Sequence, residues 1–363
     1  MKIDCDVLVV GGGPAGMVAS SLLSKQEFSV IVLETQSDIG SPTLKFDITE
    51  GNRIKPILDK INISPNKISS LSEWISSNNT FTLDSAIQDF YFKRGNTNDS
   101  IEQKLYQKLR EKTDLVTFFF NSTVDTIKSS GTNIEYAISK KNKIIPKHVI
   151  FADGGNKSID QKLNQDSKIL ATFIGFGAVF LSSSTELIPH AKIYFDWNIA
   201  PGGYIYSGSV DDETFVCVVV DEKFSKKMDL KKRLDNFIKT NFGNVKILNY
   251  FSGKGTSGLK RVAKGNRFQV GGSAFFHDPF LGYGLNYAIE SAYYTAQSII
   301  NGDYDIYSSY HTKIQDEIKK SFFAREIWRK ADDTFFDRFI ESLNGTYNPS
   351  EQEIINLLKL FQD

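Results

Sequence analysis

The chain has little of what marks several functional classes. It carries two cysteines, Cys5 and Cys217, both in apolar, strand-like runs. That is too few for a disulfide framework and suits buried thiols in a reducing cytosol. Four histidines in 363 residues give no basis for a histidine-built site, and no metal is expected. A surplus of one charge is missing too. Lys plus Arg and Asp plus Glu stand at 43 each, so no overall field draws nucleic acid. The longest nearly apolar run, ILATFIGFGAVFL at 169–181, is too short to span a bilayer and is interrupted by glycines. No internal repeat or low-complexity linker divides the chain. Its first residues run straight into a strand, so no secretory leader is expected. What remains is a cytoplasmic protein with enough apolar residues for one large unit or two intimate domains. Contact with a membrane surface stays open.

The N-terminus is the most informative segment. CDVLVVGGGPAGMVASSLLSK reads as a buried strand, a glycine turn and a helix with small residues on its inner face. Gly11, Gly13 and Gly16 satisfy the G-x-G-x-x-G pattern, with Pro14 and Ala15 between them. The first glycine permits the tight turn, the second lets backbone approach a pyrophosphate, and the third lets helix and strand pack closely. The helix N-terminus offers unpaired N–H groups to phosphate. A second strand, FSVIVLE, ends in Glu34, where a carboxylate can accept hydrogen bonds from a ribose diol. Together these features read as a dinucleotide site, which FAD and NAD share.

The rest of the chain separates the two. A long irregular stretch follows Glu34 instead of a second close β–α unit. Next comes the helix IEQKLYQKLREK, with Ile101, Leu105 and Leu109 at helical spacing and a capping box from Ser100 and Gln103. Strand-like runs lead to KHVIFADGG, where Asp153 and Gly154 sit at a strand end. Far downstream, RFQVGGSAFFHDPFLGYGLNYAIESA gives a strand, a glycine-rich loop and a helix opening near Gly284.

This set of motifs resembles the glutathione-reductase-type FAD superfamily in its aromatic-hydroxylase branch, and within it the geranylgeranyl reductase family. IGSPTLKFDI, Arg94 ahead of the Ser100 helix, and APGGYIYSGSVDDE with Tyr204 and Tyr206 carry the finer resemblance, over roughly residues 1–310. The resemblance implies an α/β fold: a Rossmann-like FAD-binding domain (1–164 and 263–310), an antiparallel-sheet substrate domain (165–262) and a short helical C-terminal region (311–363). It further implies FAD held at its pyrophosphate by Gly11 to Gly16, at the adenosine ribose by Glu34, and at adenine by backbone near Val124. Arg94, Asp153 and Gly154 join the site. The segment from Gly271 through Gly272, Asp278, Gly282, Gly284 and Leu285 to Asn286 would wrap the flavin end. Tyr204 and Tyr206 would meet the substrate, an isoprenoid lipid or other apolar small molecule. The reductant is open between NAD(P)H and an electron-donor protein such as ferredoxin. In the family a helical C-terminal region helps enclose the lipid tail; this one is short.

Three departures stand out. The superfamily has Gly-Asp where this chain has Gly271-Gly272, and a lost charged hydrogen bond is worth about 1.5–3 kcal/mol, with Ser273 or Asp278 the nearby compensators. The family's cysteine beside the flavin is missing, since LKFDI with Lys45 and Asp47 stands there. Its substrate motif is eroded at Tyr206 and Ser209. Saturating an isolated double bond needs a hydride and a proton, and the candidate acids are Tyr206, His277, Asp47 and Lys45. The expected function is reduction of isoprenoid double bonds. The alternatives are an FAD-dependent aromatic hydroxylase, or a flavin- or lipid-binding relative without turnover. KGTSGLKRVAK (254–264) is basic and glycine-rich and is read as a solvated loop, the alternative being a contact for a phosphate or an anionic lipid headgroup.

Overall fold

A computed structural model describes residues 1–40, 45–155, 167–181 and 187–343. The chain begins with β1 (Lys2–Val10), α1 (Pro14–Ser24) and β2 (Val30–Leu33). Val7 to Val10 are buried because parallel neighbours flank β1 on both sides, β2 being one of them. A side chain at Gly16 would collide with the carbonyl oxygen of Gly11, so α1 can lie against its strand only with glycine there.

The stretch expected to be irregular is regular from Phe46 onward. It forms β3 (Phe46–Glu50), α2 (Gly51–Ile61), β4 (Lys67–Ile75) and β5 (Thr80–Lys93). These three strands join a second sheet, while α2 packs into the core of the first. β4 alternates exposed and half-buried positions along much of its length, which by pattern alone looks like loop.

The chain returns to the first sheet with α3 (Ile101–Lys112), β6 (Val116–Phe119), β7 (Thr126–Ser130), β8 (Asn133–Ser139) and β9 (Asn142–Phe151). Ser100 caps α3 by accepting from the N–H of Gln103 at 3.2 Å. The Gln103 side chain, however, donates to the Ile39 carbonyl at 3.0 Å rather than turning back to the cap. The second sheet then takes β10 (Ser167–Leu181), β11 (Ala191–Tyr194), β12 (Tyr204–Val210), β13 (Glu213–Asp221) and β14 (Ile247–Lys260), with α4 (Glu222–Ser225) and α5 (Leu230–Phe242) between the last two. The apolar run 169–181 is thus a sheet strand. Much of the supposed loop 254–264 is strand as well. Its glycines serve close approach: a Cβ at Gly255 would lie 2.5 Å from the His277 ring, and one at Gly258 would lie 2.5 Å from the Lys168 carbonyl.

Finally β15 (Arg267–Gln269) pairs with the end of β9, followed by a 3-10 turn (Gly271–Ala274), α6 (Leu285–Asn301), α7 (Tyr304–Trp328) and α8 (Asp333–Leu343). The first sheet runs β6-β2-β1-β9-β8-β7 with β15 beside β9; the second runs β14-β10-β13-β12-β11-β4-β5-β3. The fold is a Rossmann-like α/β unit joined to a largely antiparallel sheet, with C-terminal helices. One core lies among the first sheet, α1, α2, α3 and α6. Another lies under the second sheet, where Trp74, Phe195, Trp328, Phe336 and Phe339 meet. The stretch SEQEIINLLKLFQ, whose Ser350 and Glu353 read as a capping box ahead of an apolar stripe of Ile354, Leu357, Leu358 and Phe361, lies outside the described residues.

Candidate functional site

The parallel strands of the first sheet all deliver their carboxyl ends to one crevice, where ligands of open α/β sheets bind. Backbone bonds hold those ends in step: Gly11 N–H donates to Leu33 O (2.8 Å), Ala152 N–H to Val10 O (2.8 Å) and Val270 N–H to Phe151 O (3.0 Å). The sequence-predicted residues follow directly. Gly11 has φ +110°, a conformation open to glycine. The Glu34 carboxylate accepts from Gly12 N–H (2.8 Å) and Gln36 N–H (2.8 Å), so it braces the glycine turn from the end of β2. Val124 is buried in the small core under β7 to β9. Asp153 lies between Ala152 and Gly154, both of which face the crevice.

A cavity of about 1030 Å³ opens here and runs beneath the second sheet. Gly13, Pro14 and Ala15 line it, as do Gly154, Gly272, Gly282, Gly284, Leu285 and Asn286. Gly11, Gly16, Glu34, Val124, Asp153, Gly271 and Lys45 do not. The helices α1 and α6 both start at this cavity with glycine N-caps, Gly13 and Gly284, and neither has a side-chain cap. Their first-turn N–H groups are therefore left for a ligand. Open space lies where a Gly13 side chain would be. Asn286 is 2% exposed and its Oδ1 has no hydrogen-bond partner, which a buried amide tolerates only where a ligand or water completes it.

The loop from Gly271 to Gly284 is folded by its own groups. Asp278 accepts from the N–H groups of Phe280 (3.0 Å), Leu281 and Gly282 (3.2 Å), and Ser321 on α7 donates to its other oxygen. Burial pushes this carboxyl above its ordinary range despite those donors. Both its oxygens are thus spent on the loop, which leaves it poorly placed to replace an acid missing at 272. Ser273 is buried as well. A side chain at 272 would meet the backbone of Gly154 and Gly155 at 3.1 Å; the close turn after β9 occupies the space. Gly271, with φ +53°, donates from its N–H to Ser291 Oγ on α6 at 2.8 Å, a partner the sequence did not reveal.

The second sheet supplies the opposite wall. Tyr204, on β12, donates to the Leu281 carbonyl and so ties that sheet to the loop. A Cβ at Gly282 would sit 2.9 Å from its hydroxyl, and Gly282 has φ +75°. Tyr206 lines the cavity opposite Cys217, its cross-strand partner on β13. Burial pushes the Cys217 thiol up to about 12 and the Tyr206 phenol well above its ordinary value, so both stay protonated. Cys217 had read as a plain buried thiol. It is buried, yet it faces the cavity, a fact that alternation along an all-buried strand cannot reveal.

Among the other candidate acids, His277 lodges between Gly255 and Gly284, and burial lowers it to about 4, so its imidazole is neutral. Asp47 is joined to Arg94 at 2.6 Å, and Arg94 reaches Glu102 at 2.6 Å as well. Burial raises Asp47 in spite of that arginine. Sequence reasoning missed three charged lining side chains: Glu50, Asp89 and Arg53. Arg53 makes a bidentate pair with Glu290 (3.0 and 2.8 Å) and reaches Glu317 at 3.3 Å.

A family profile described as an NAD(P)-binding Rossmann-like domain matches residues 9–54. Among characterised proteins, the chain is 26% identical over 318 residues to digeranylgeranylglycerophospholipid reductase 1 of Methanococcoides burtonii, covering 82% of this chain and 74% of the relative. It is also 26% identical to digeranylgeranylglycerophospholipid reductase of Thermoplasma volcanium, over 93% of this chain and 90% of that one. Among solved structures, a geranylgeranyl bacteriochlorophyll reductase-like protein from Thermoplasma acidophilum superposes with a TM-score of 0.85 at 18% identity, covering 99% and 96% of the two chains. The chain is similar to geranylgeranyl reductases and their relatives over most of its length, in line with the resemblance carried by its motifs. The uncapped helix ends, the open face at Gly13 and the orphan amide oxygen of Asn286 fit FAD.

Proposed function

We propose that the chain is an FAD-dependent reductase that saturates carbon–carbon double bonds of isoprenoid lipid precursors. One observation carries this reading. The crevice that fits FAD is continuous with a chamber walled by Trp74, Leu83, Phe173, Ile193, Val219 and Phe280. An apolar chain seated there would gain about 25 cal/mol for each Å² removed from water, and its reacting bond would be kept dry. FAD, when bound, supplies hydride chemistry.

The chain's own residues would do the rest. The open N-terminus of α6 would present N–H groups to charge that accumulates on the cofactor's pyrimidine edge. Tyr204 would hold the loop at a fixed distance from the sheet. Arg94 is neutralised by Asp47 and Glu102, and Arg53 by Glu290 and Glu317, so neither cation offers a free anchor for a phosphate headgroup deep in the cavity. NAD(P)H or a small electron-donor protein would supply reducing equivalents. No helix among the described residues is long and apolar enough to cross a membrane, and a lipid substrate would fit peripheral contact with one.

The test begins with a visible spectrum of the purified protein and identification of the released flavin. The reduced protein is then given prenyl lipids without oxygen, and the products are weighed by mass spectrometry. A gain of two hydrogens per double bond supports the proposal. NAD(P)H oxidation stimulated by an aromatic in air would favour the hydroxylase instead. A protein that holds lipid but stays colourless after incubation with FAD would favour the relative without turnover.

A further inference from the structure

The cavity wall carries a pair of carboxylates that the cofactor site does not use. Glu50 ends β3, and Asp89 stands directly across from it on β5. Both line the cavity. Acids directly opposite one another destabilise a sheet, unless something lies between them.

Here no cation does. The cavity's other carboxylates are provided for: Asp47 by Arg94, Asp278 by Ser321 and three backbone N–H groups. Arg53, one turn along α2 from Glu50, is committed to Glu290 on α6 and Glu317 on α7. Lys67 on β4 is directed to the carbonyls of Ile188 and Ser209. Tyr91, two residues along β5, and Tyr283, from the loop before α6, are phenols that burial keeps protonated. No salt bridge reaches Glu50 or Asp89 among the described residues. A proton is the partner left to them, since two carboxylates sharing a site cannot both ionise readily. Burial, and then the charge of Glu50, push Asp89 up to about 7. Burial raises Glu50 too, with Arg53 pulling the other way. The orphan Oδ1 of Asn286 in the same cavity shows independently that it is built for a ligand.

We infer that Asp89 and Glu50 hold the cavity's proton between them, and that Asp89 is the acid that delivers it to a substrate carbon. This rests on the reductase reading above. In the reaction the π bond breaks and two C–H bonds form. One carbon receives the hydride, with its two electrons, from the bound cofactor. The other receives the proton from Asp89, whose carboxylate is recharged from solvent by way of Glu50.

The experiment uses the full chain loaded with FAD, with the variants Asp89→Asn and Glu50→Gln. Infrared spectra between pH 5 and 9, with no substrate present, should show a protonated-carboxyl band that fades as pH rises through about 7. That band should be absent in Asp89→Asn, and its midpoint should move to lower pH in Glu50→Gln, which removes the neighbouring charge. In single-turnover reduction of a prenyl lipid, Asp89→Asn should lose roughly a hundredfold or more, the usual span for a general acid. Its flavin spectrum and its reduction by dithionite should not change. In Glu50→Gln the alkaline fall in rate should move to lower pH, following the band. A band that persists in Asp89→Asn, or a rate within a few-fold of wild type with the same pH profile, overturns the assignment. A wild-type protein that reduces no prenyl lipid overturns the reductase reading and the delivery step, while the infrared band still decides where the proton resides.

Discussion

At the residue scale, glycine 272 is where this chain most visibly departs from the superfamily its motifs resemble, and backbone crowds the position. The turn of Gly154 and Gly155 comes close enough that even a Cβ at 272 would meet backbone at 3.1 Å. Restoring the acid by Gly272→Asp should therefore not tighten FAD. Overpacking of this kind costs about 1–3 kcal/mol, so the variant is expected to bind the cofactor no better and to unfold at lower urea. Fluorescence titration with FAD beside a urea melt checks both; a tenfold gain in affinity at unchanged stability would show that the turn yields. Gly11 and Gly16 are each forced by a collision, with the carbonyl oxygens of Ala152 and Gly11, whereas Gly13 faces open space at the start of α1; the spacing of all three made the turn legible. Glu50 and Asp89 were not legible, because alternation tells which face of a strand a side chain takes and not whether that face meets water or a cavity; Arg53, on α2, reads likewise as a solvated helix charge. A polar cavity wall reads like a surface.

At the scale of elements, the same ambiguity explains why β3, β4 and β5 looked irregular while β1, β2 and α6 did not. Buried parallel strands announce themselves as unbroken apolar runs, whereas β4 has no buried position before Ser72. The capping of α3 was visible, since Ser100 accepts the bond its position promised. The role of α8 was not. That helix buries Phe336, Phe339, Ile340 and Leu343 against the second sheet. It is fixed at one end by Asp333, which accepts from Trp197 N–H at 2.8 Å. Asp337 accepts from Ser76 Oγ (2.6 Å), Asn78 N–H (2.9 Å) and the Asn78 amide (2.6 Å) at the tip between β4 and β5. Asp337→Ala should loosen this strap by about 1–2 kcal/mol, the worth of such bonds when they are partly exposed. Faster amide exchange confined to α8 and the ends of β4 and β5 is the expected readout. Exchange that accelerates evenly across the first sheet would show that the strap is not local.

At the scale of the whole molecule, the cavity exists because two sheets and a C-terminal helix are held apart at fixed distance, and the joints are polar. Arg53 joins α2 to α6 and α7, Tyr204 joins β12 to the loop at Leu281, and Asp221 joins the end of β13 to α7. The last joint is the deepest. Asp221 pairs with Arg329 at 2.6 Å and with Arg325 at 3.3 Å, and the Arg325 side chain is fully buried. Burial lowers Arg325 to about 10, yet the guanidinium stays charged at neutral pH. Burial works against the Asp221 charge, but the Lys223 N–H and the two arginines outweigh it and leave this carboxyl below its ordinary value. A carboxylate depressed in the folded state contributes stability above its unfolded pKa and loses it as pH falls through the folded one. Asp221→Asn removes the charge and leaves Arg325 buried without its counterion, a change that costs about 3–5 kcal/mol. For a chain of this length that is roughly 4–7 °C in melting temperature. The deficit should be full at pH 7 and shrink below about pH 4, where wild-type Asp221 begins to take up a proton of its own. Calorimetry of both proteins from pH 3 to 8 tests this. A constant gap across the range would assign the joint to shape rather than charge.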